Sequence, residues 1–189
     1  MTRQNGNLYD EEYLRQGSPT NTTYAETFPR HHAASNTAIA ATGVVHSTAI
    51  PLQFGDVAGA VTFIVATQAA VTPTAGYAAL RTPAGVVVAQ TADFGSTARA
   101  ANTVYKIAFT TPYLVTTPGL YILDLSFTAG TVPTVAGKSV INAVVNGAVV
   151  TGAPVLAQTH GSAVGATPPA TIATPTTVAT IPWYAITAS

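Results

Sequence analysis

Residues 111–127 read TPYLVTTPGLYILDLSF, and this stretch decides the fold class. Large apolar side chains (Tyr121, Leu123, Leu125 and Phe127) alternate there with Asp124 and Ser126, the period-two pattern of a strand with one buried face. Residues 116–119, Thr-Thr-Pro-Gly, have the composition of a turn. The stretch therefore predicts a short strand that leads through a turn into a longer one.

The same kind of pattern recurs on both sides of this stretch. Tyr77–Arg81 and Val86–Gln90 flank Thr82–Gly85, where Pro stands second and Gly fourth, as a type I turn prefers. Other strand-like runs lie at 61–66, 104–109, 139–150, 154–158 and 180–186. About eight or nine short strands with no room for crossover helices predict an all-β fold, an antiparallel two-sheet jelly-roll sandwich.

The N-terminal part has a different composition. Half of the charged residues precede position 31, among Asn, Gln, Thr and Pro and without apolar periodicity. We predict an extended N-terminal arm at 1–45 and the sandwich domain at 46–189; a disordered tail is the alternative. The predicted partner-binding residues are the apolar anchors of the arm, Leu8, Tyr9, Tyr13, Leu14, Tyr24 and Phe28. Strand addition to a neighbouring sheet edge would supply the arm's remaining attachment energy.

Charge narrows the range of partners. The net charge is zero, which argues against binding to nucleic acid or to an anionic membrane surface, because both need clustered Lys and Arg. No apolar run approaches the ~20 residues that span a bilayer. Charged residues make up 7% of the chain, against about 25% in a typical domain. We expect much of the surface to contact other protein subunits.

Catalytic and metal-binding patterns are weak. The chain has no cysteine, and the adjacent His31 and His32 would point to opposite sides of an extended segment. His46 and His160 have no carboxylate near them in sequence. Asp56 and Asp93 lie beside glycines, which suits turn carboxylates. We predict no catalytic residues, no metal and no cofactor.

A carbohydrate site is the alternative. Sugars stack on exposed aromatic rings, and Trp183 and Tyr184 are adjacent in a predicted strand, so that one would face outward. The favoured alternative is that Trp183 is a core or intersheet residue. We keep both residues as candidate glycan-binding residues.

The chain from about His46 onward resembles the jelly-roll domain of tailed-bacteriophage virion proteins, especially of phages that infect actinobacteria. These are head-decoration, minor tail and fibre proteins. The resemblance lies in five segments: Ala49–Leu52, Ala79–Gly85, Thr111–Tyr121, Val132–Gly137 and Ile181–Tyr184.

The resemblance implies a non-catalytic structural protein of the virion, most simply a head (capsid) decoration protein anchored by its arm. Its partners would be other virion proteins (major capsid or tail subunits) and further copies of itself, in a homo-oligomer such as a trimer. The alternative is a minor tail or fibre protein that binds a host glycan.

Overall fold

The protein is an all-β sandwich of two antiparallel sheets packed against each other, as the sequence predicts. The computed structural model describes residues 24–38 and 41–188. The predicted anchors Leu8, Tyr9, Tyr13 and Leu14 lie outside the described residues.

The strands are β1 (Tyr24–Glu26), β2 (Ser35–Ala38), β3 (Val45–Leu52), β4 (Val57–Val65), β5 (Val71–Arg81), β6 (Val87–Gln90), β7 (Thr103–Leu114), β8 (Gly119–Thr131), β9 (Thr134–Ser139), β10 (Ala157–His160), β11 (Thr176–Thr177), β12 (Thr180–Pro182) and β13 (Tyr184–Thr187). Two short 3₁₀ turns, Arg30–His32 and Ala143–Asn146, accompany them in the described part of the chain.

The two sheets are built around β8 and β4. The six-stranded sheet has the order β11-β10-β3-β8-β5-β6. The seven-stranded sheet has the order β1-β13-β4-β9-β12, and in addition β2 pairs with β9 and β7 pairs with β4. The predicted turn at 82–85 joins β5 to β6 and is closed by a hydrogen bond from the Gly85 amide to the Thr82 carbonyl.

The core between the sheets is made by the alternating apolar residues of the strands. The inward side chains of β8 are almost completely buried: Tyr121, Leu123, Leu125 and Phe127. The ring of Phe127 lies edge-on to Phe63 at 6.1 Å and to Phe94 at 5.4 Å, so the two sheets meet through aromatic contacts.

Two segments of the predicted arm, residues 24–26 and 35–38, belong to the seven-stranded sheet. Residues 24–26 pair with β13, and Ser35–Ala38 pair with β9. β2 packs closely against β9, because a Cβ added at Gly137 would overlap the Thr37 hydroxyl. The strand addition predicted for a partner's sheet is therefore seen, for these residues, on the chain's own sheet.

The predicted strand at 139–150 is wrong beyond its first residue. β9 ends at Ser139, and residues 140–156 form a loop with one 3₁₀ turn. No strand in the described part of the chain pairs with residues 140–150; the Val140 amide donates instead to the Ala179 carbonyl.

Candidate assembly surface

The loop between β9 and β10, residues 140–156, is here named the apolar lobe. Its exposed fractions are 91% for Ile141, 72% for Val144 and 67% for both Val149 and Val150. None of the residues 140–156 is charged. Monomeric proteins rarely expose large contiguous apolar patches, so such a lobe is typical of an interaction surface.

The apolar lobe is tied to the sandwich at its base. Asn146 is fully buried, and its side-chain Nδ2 donates to the Val178 carbonyl at 2.7 Å. The Leu156 amide donates to the Asn146 carbonyl at 2.8 Å, which closes the lobe on itself. The valines therefore extend from a backbone that the hydrogen bonds of the buried Asn146 hold in place.

A shallow apolar groove crosses the outer side of the six-stranded sheet beside the lobe. It consists of a cavity of about 470 Å³ and a second of about 260 Å³, which share Pro83 and Ile122 as walls. Residues 152–155 of the apolar lobe line the larger cavity, and Ile172 lines the smaller. None of the described residues that line this apolar groove is charged.

A buried ion pair lies on the same outer side of the sheet, under residues 161–175. Arg81 Nε lies 2.6 Å from Asp124 Oδ2, and the Ser47 hydroxyl donates to Asp124 Oδ1 at 2.6 Å. His160 Nε2 is 3.7 Å from the same carboxylate. The Arg81 guanidinium also donates to the carbonyls of Gly85 and Pro169, so it fixes the covering segment.

The hydrogen bonds of this cluster differ from those that activate a nucleophilic serine. An activated serine donates to a base such as histidine, whereas Ser47 donates to a carboxylate that is already paired with Arg81. The side chains of Arg81 and Asp124 are fully buried, so no substrate reaches them in this conformation.

Burial keeps other titratable groups of the interior neutral. Burial lowers the pKa of His46 to about 4, although the Thr180 backbone partly opposes this. Burial, with the Asp124 charge as a second cause, raises the pKa of Tyr77 and of Tyr184. Uncharged forms are therefore favoured at neutral pH.

The two predicted turn carboxylates are confirmed. Asp93 Oδ1 accepts the amides of Gly76 at 3.0 Å and Gly95 at 2.8 Å, and Asp56 Oδ2 accepts the Gln53 amide at 2.7 Å. Within residues 24–38 and 41–188, no group of three or more His, Asp or Glu side chains could hold a metal ion. The part of the chain that the structure describes contains no helix long and apolar enough to cross a membrane.

The two candidate glycan residues are both buried. Trp183 is 2% exposed and packs with Phe28, Ile181 and Ala185, while the Arg30 guanidinium lies 5.8 Å from its ring centroid. Tyr184 points into the core between the sheets. Stacking on a sugar needs an exposed ring face, which neither residue offers in this conformation.

Phe28, a predicted partner-binding anchor, packs against its own domain. It is 4% exposed in the cluster with Trp183, and Lys138 Nζ lies 4.6 Å from its ring centroid. Tyr24 opens β1, where its backbone pairs with Thr187. Sequence reasoning missed the apolar lobe because the exposed valines were read as a strand.

Fold and surface together define a β-sandwich protein with an exposed apolar lobe. No protein-family model matches the chain, and no curated protein is found to be similar to it.

Proposed function

We propose that this chain is a non-catalytic structural protein of a phage virion, a head decoration protein that attaches to neighbouring subunits. The observation that carries the proposal is the apolar lobe, whose valines are exposed although buried hydrogen bonds hold its base. An exposed apolar surface on a fixed backbone is what a subunit presents to a partner before assembly.

The energetics favour attachment at several points. Full burial of an aliphatic side chain contributes about 1.5–3 kcal/mol, so the four most exposed side chains of the lobe contribute at most about 6–12 kcal/mol. Association itself costs about 4–15 kcal/mol. The apolar lobe alone therefore binds weakly, and stable attachment requires a further contact, for which the N-terminal arm, with anchors such as Tyr9 and Tyr13, is the proposed source.

The positions of the reactive and charged side chains also support a structural role. The carboxylate and the hydroxyl that could serve a reaction, in Asp124 and Ser47, are buried and bonded to each other. The exposed lobe offers no charged group. Its partners are other virion proteins, major capsid or tail subunits, together with further copies of this chain.

The assignment to a phage particle rests on the resemblance of five sequence segments. Two of them form connections in the sandwich: Ala79–Gly85 leads from β5 into the turn before β6, and Thr111–Tyr121 leads from β7 into β8.

The test is to locate the chain on purified particles. Particles from the phage that encodes it should carry the chain in many copies, detected by mass spectrometry. Gold-labelled antibodies against residues 46–189 should decorate the head surface in electron micrographs. Label confined to the tail tip would overturn head decoration, and absence of the chain from particles would overturn the virion role altogether.

A further inference from the structure

We infer that the apolar groove beside the lobe is the docking site for residues 8–14 of this chain, Leu-Tyr-Asp-Glu-Glu-Tyr-Leu. The inference deepens the proposed function, since it assigns a binding site to the arm. Four observations carry it: the shape of the groove, its lack of charge, the apolar pairs of the segment and the tether that joins the two.

The shape of the groove suits two anchors. The larger cavity, about 470 Å³, falls in the range of ~300–1,000 Å³ that ligand pockets occupy. The smaller cavity, about 260 Å³, adjoins it across Pro83 and Ile122. Leu120 and Ile122 of β8 line the larger cavity, together with the buried polar residue Gln158.

The segment carries two apolar pairs. Leu8-Tyr9 and Tyr13-Leu14 are separated by Asp10, Glu11 and Glu12. Four residues of extended chain span about 13 Å, and four residues of helix span about 6 Å. The two cavities adjoin at Pro83 and Ile122, so that one pair can occupy each cavity while the three carboxylates remain in water.

Residues 8–14 are covalently joined to the sandwich, so that a groove of modest affinity is sufficient to bind them. Residues 1–23 precede the described part of the chain and are joined to the sandwich at β1. Nine residues lie between Leu14 and Tyr24, so that the ten steps from one to the other span about 33 Å of extended chain. A segment tethered in this way is present at an effective concentration in the mM range, whereas a free partner must bind from dilute solution.

Because none of the described residues that line the groove is charged, the docking of residues 8–14 should not depend on salt concentration. Aromatic and aliphatic burial is insensitive to screening, so 1 M salt, where the Debye length is about 3 Å, should not release the segment. An acidic segment held by a basic patch would be released under the same conditions.

The experiment uses the full chain with the photo-crosslinking residue benzoylphenylalanine in place of Tyr13. After irradiation at 1 M salt, mass spectrometry should find Tyr13 crosslinked to peptides that contain residues 119–122 or 152–155. The control places the same residue at Asn21, outside the two apolar pairs, and should not label the groove. Ile122→Glu, on the outer face of β8, should lower the yield at least tenfold while the far-ultraviolet circular dichroism remains that of the unaltered chain.

The outcomes separate the two proposals. Crosslinked dimers on a denaturing gel place the segment in the groove of a second copy and support both the inference and the arm as an attachment contact. Crosslinked monomers support docking within one chain and contradict the arm as the contact with a neighbouring subunit. No crosslink to the groove, or one that Ile122→Glu leaves unchanged in a folded protein, overturns the inference. If Tyr13 instead labels another virion protein on particles, the groove is not its site while the virion role stands.

Discussion

The guanidinium Nε of Arg81 lies 2.6 Å from Oδ2 of Asp124, and both side chains are fully buried. The two residues are joined across neighbouring strands β5 and β8, on the side of the sheet that residues 161–175 cover. Because Arg81 also binds the Pro169 carbonyl, the pair connects the sheet to its cover.

Removal of one partner of this pair should destabilise the fold strongly. Asp124→Asn leaves the Arg81 charge buried without its counter-ion, a change that typically costs about 3–5 kcal/mol. Urea unfolding followed by tryptophan fluorescence measures the free energy of unfolding.

Two further variants test the same pair. Arg81→Met combined with Asp124→Leu should recover part of the loss, because it leaves no unpaired charge. Lys106→Met, on the exposed side of β7, should change stability by less than about 0.5 kcal/mol. If Asp124→Asn were as harmless as Lys106→Met, the buried pair would not hold the sheet to its cover.

Phe28 should contribute to the stability of the isolated protein. Its ring is buried against Trp183 of its own domain, and Phe→Ala in such a position costs about 3–5 kcal/mol. The matched control is Phe54→Ala, since Phe54 is 76% exposed and should lose less than about 0.5 kcal/mol. Equal stability of the two variants would indicate that Phe28 serves a partner and not its own domain.

Gly137 should be intolerant of a side chain. A Cβ there would overlap the Thr37 hydroxyl and would lie 2.7 Å from the Ile181 carbonyl oxygen, so Gly137→Ala should displace β2 at a cost of about 1–3 kcal/mol. Gly165→Ala is the control, because a Cβ there meets no atom within 4 Å. Amide hydrogen exchange should show faster exchange at residues 35–38 in Gly137→Ala alone. Unchanged exchange there would mean that β2 does not pack this closely on β9.

Stability should fall in mild acid because of His46. Burial lowers its pKa in the folded protein from 6.5 to about 4, so folding favours the neutral ring. Above pH 6.5 the ring is neutral in both states; as pH falls from 6.5 to 4 only the unfolded state takes up the proton, and about 3 kcal/mol is lost.

The test of this pH dependence is the slope of unfolding free energy between pH 7 and pH 4. His46→Leu should flatten it, and His32→Gln, at an exposed position, should not. Parallel slopes for the unaltered protein and His46→Leu would show that another group causes the acid sensitivity.

The strands that alternate clearly could be predicted from the sequence. The inward face of β8, from Tyr121 to Phe127, follows from its period of two, and the turn at Thr82–Gly85 follows from its Pro and Gly. These are local signals, and the sandwich fold depends on many of them. The opposite face of β8 was less predictable, because the partner of Asp124, Arg81, is 43 residues away in sequence.

The apolar lobe could not be predicted from the sequence, because its exposure depends on whether another strand pairs with residues 140–150. An apolar run such as 140–150 has the composition of a buried strand, and no pattern in it shows that none of the described strands pairs with it. The burial of Trp183 has a similar cause. Alternation predicts that one of Trp183 and Tyr184 faces away from the core between the sheets, but it does not show that Phe28 from a distant segment covers Trp183.

The most direct test of the central claim is the copy number of the chain on particles when the apolar lobe carries charge. Val149→Asp with Val150→Asp should reduce copies per particle at least tenfold, because desolvating two carboxylates in an apolar contact is unfavourable. Val71→Asp with Val104→Asp adds the same charge at two other exposed valines and should leave the copy number unchanged. Full occupancy by the lobe variant, measured by quantitative mass spectrometry of purified particles, would contradict the assignment of the lobe as the assembly contact.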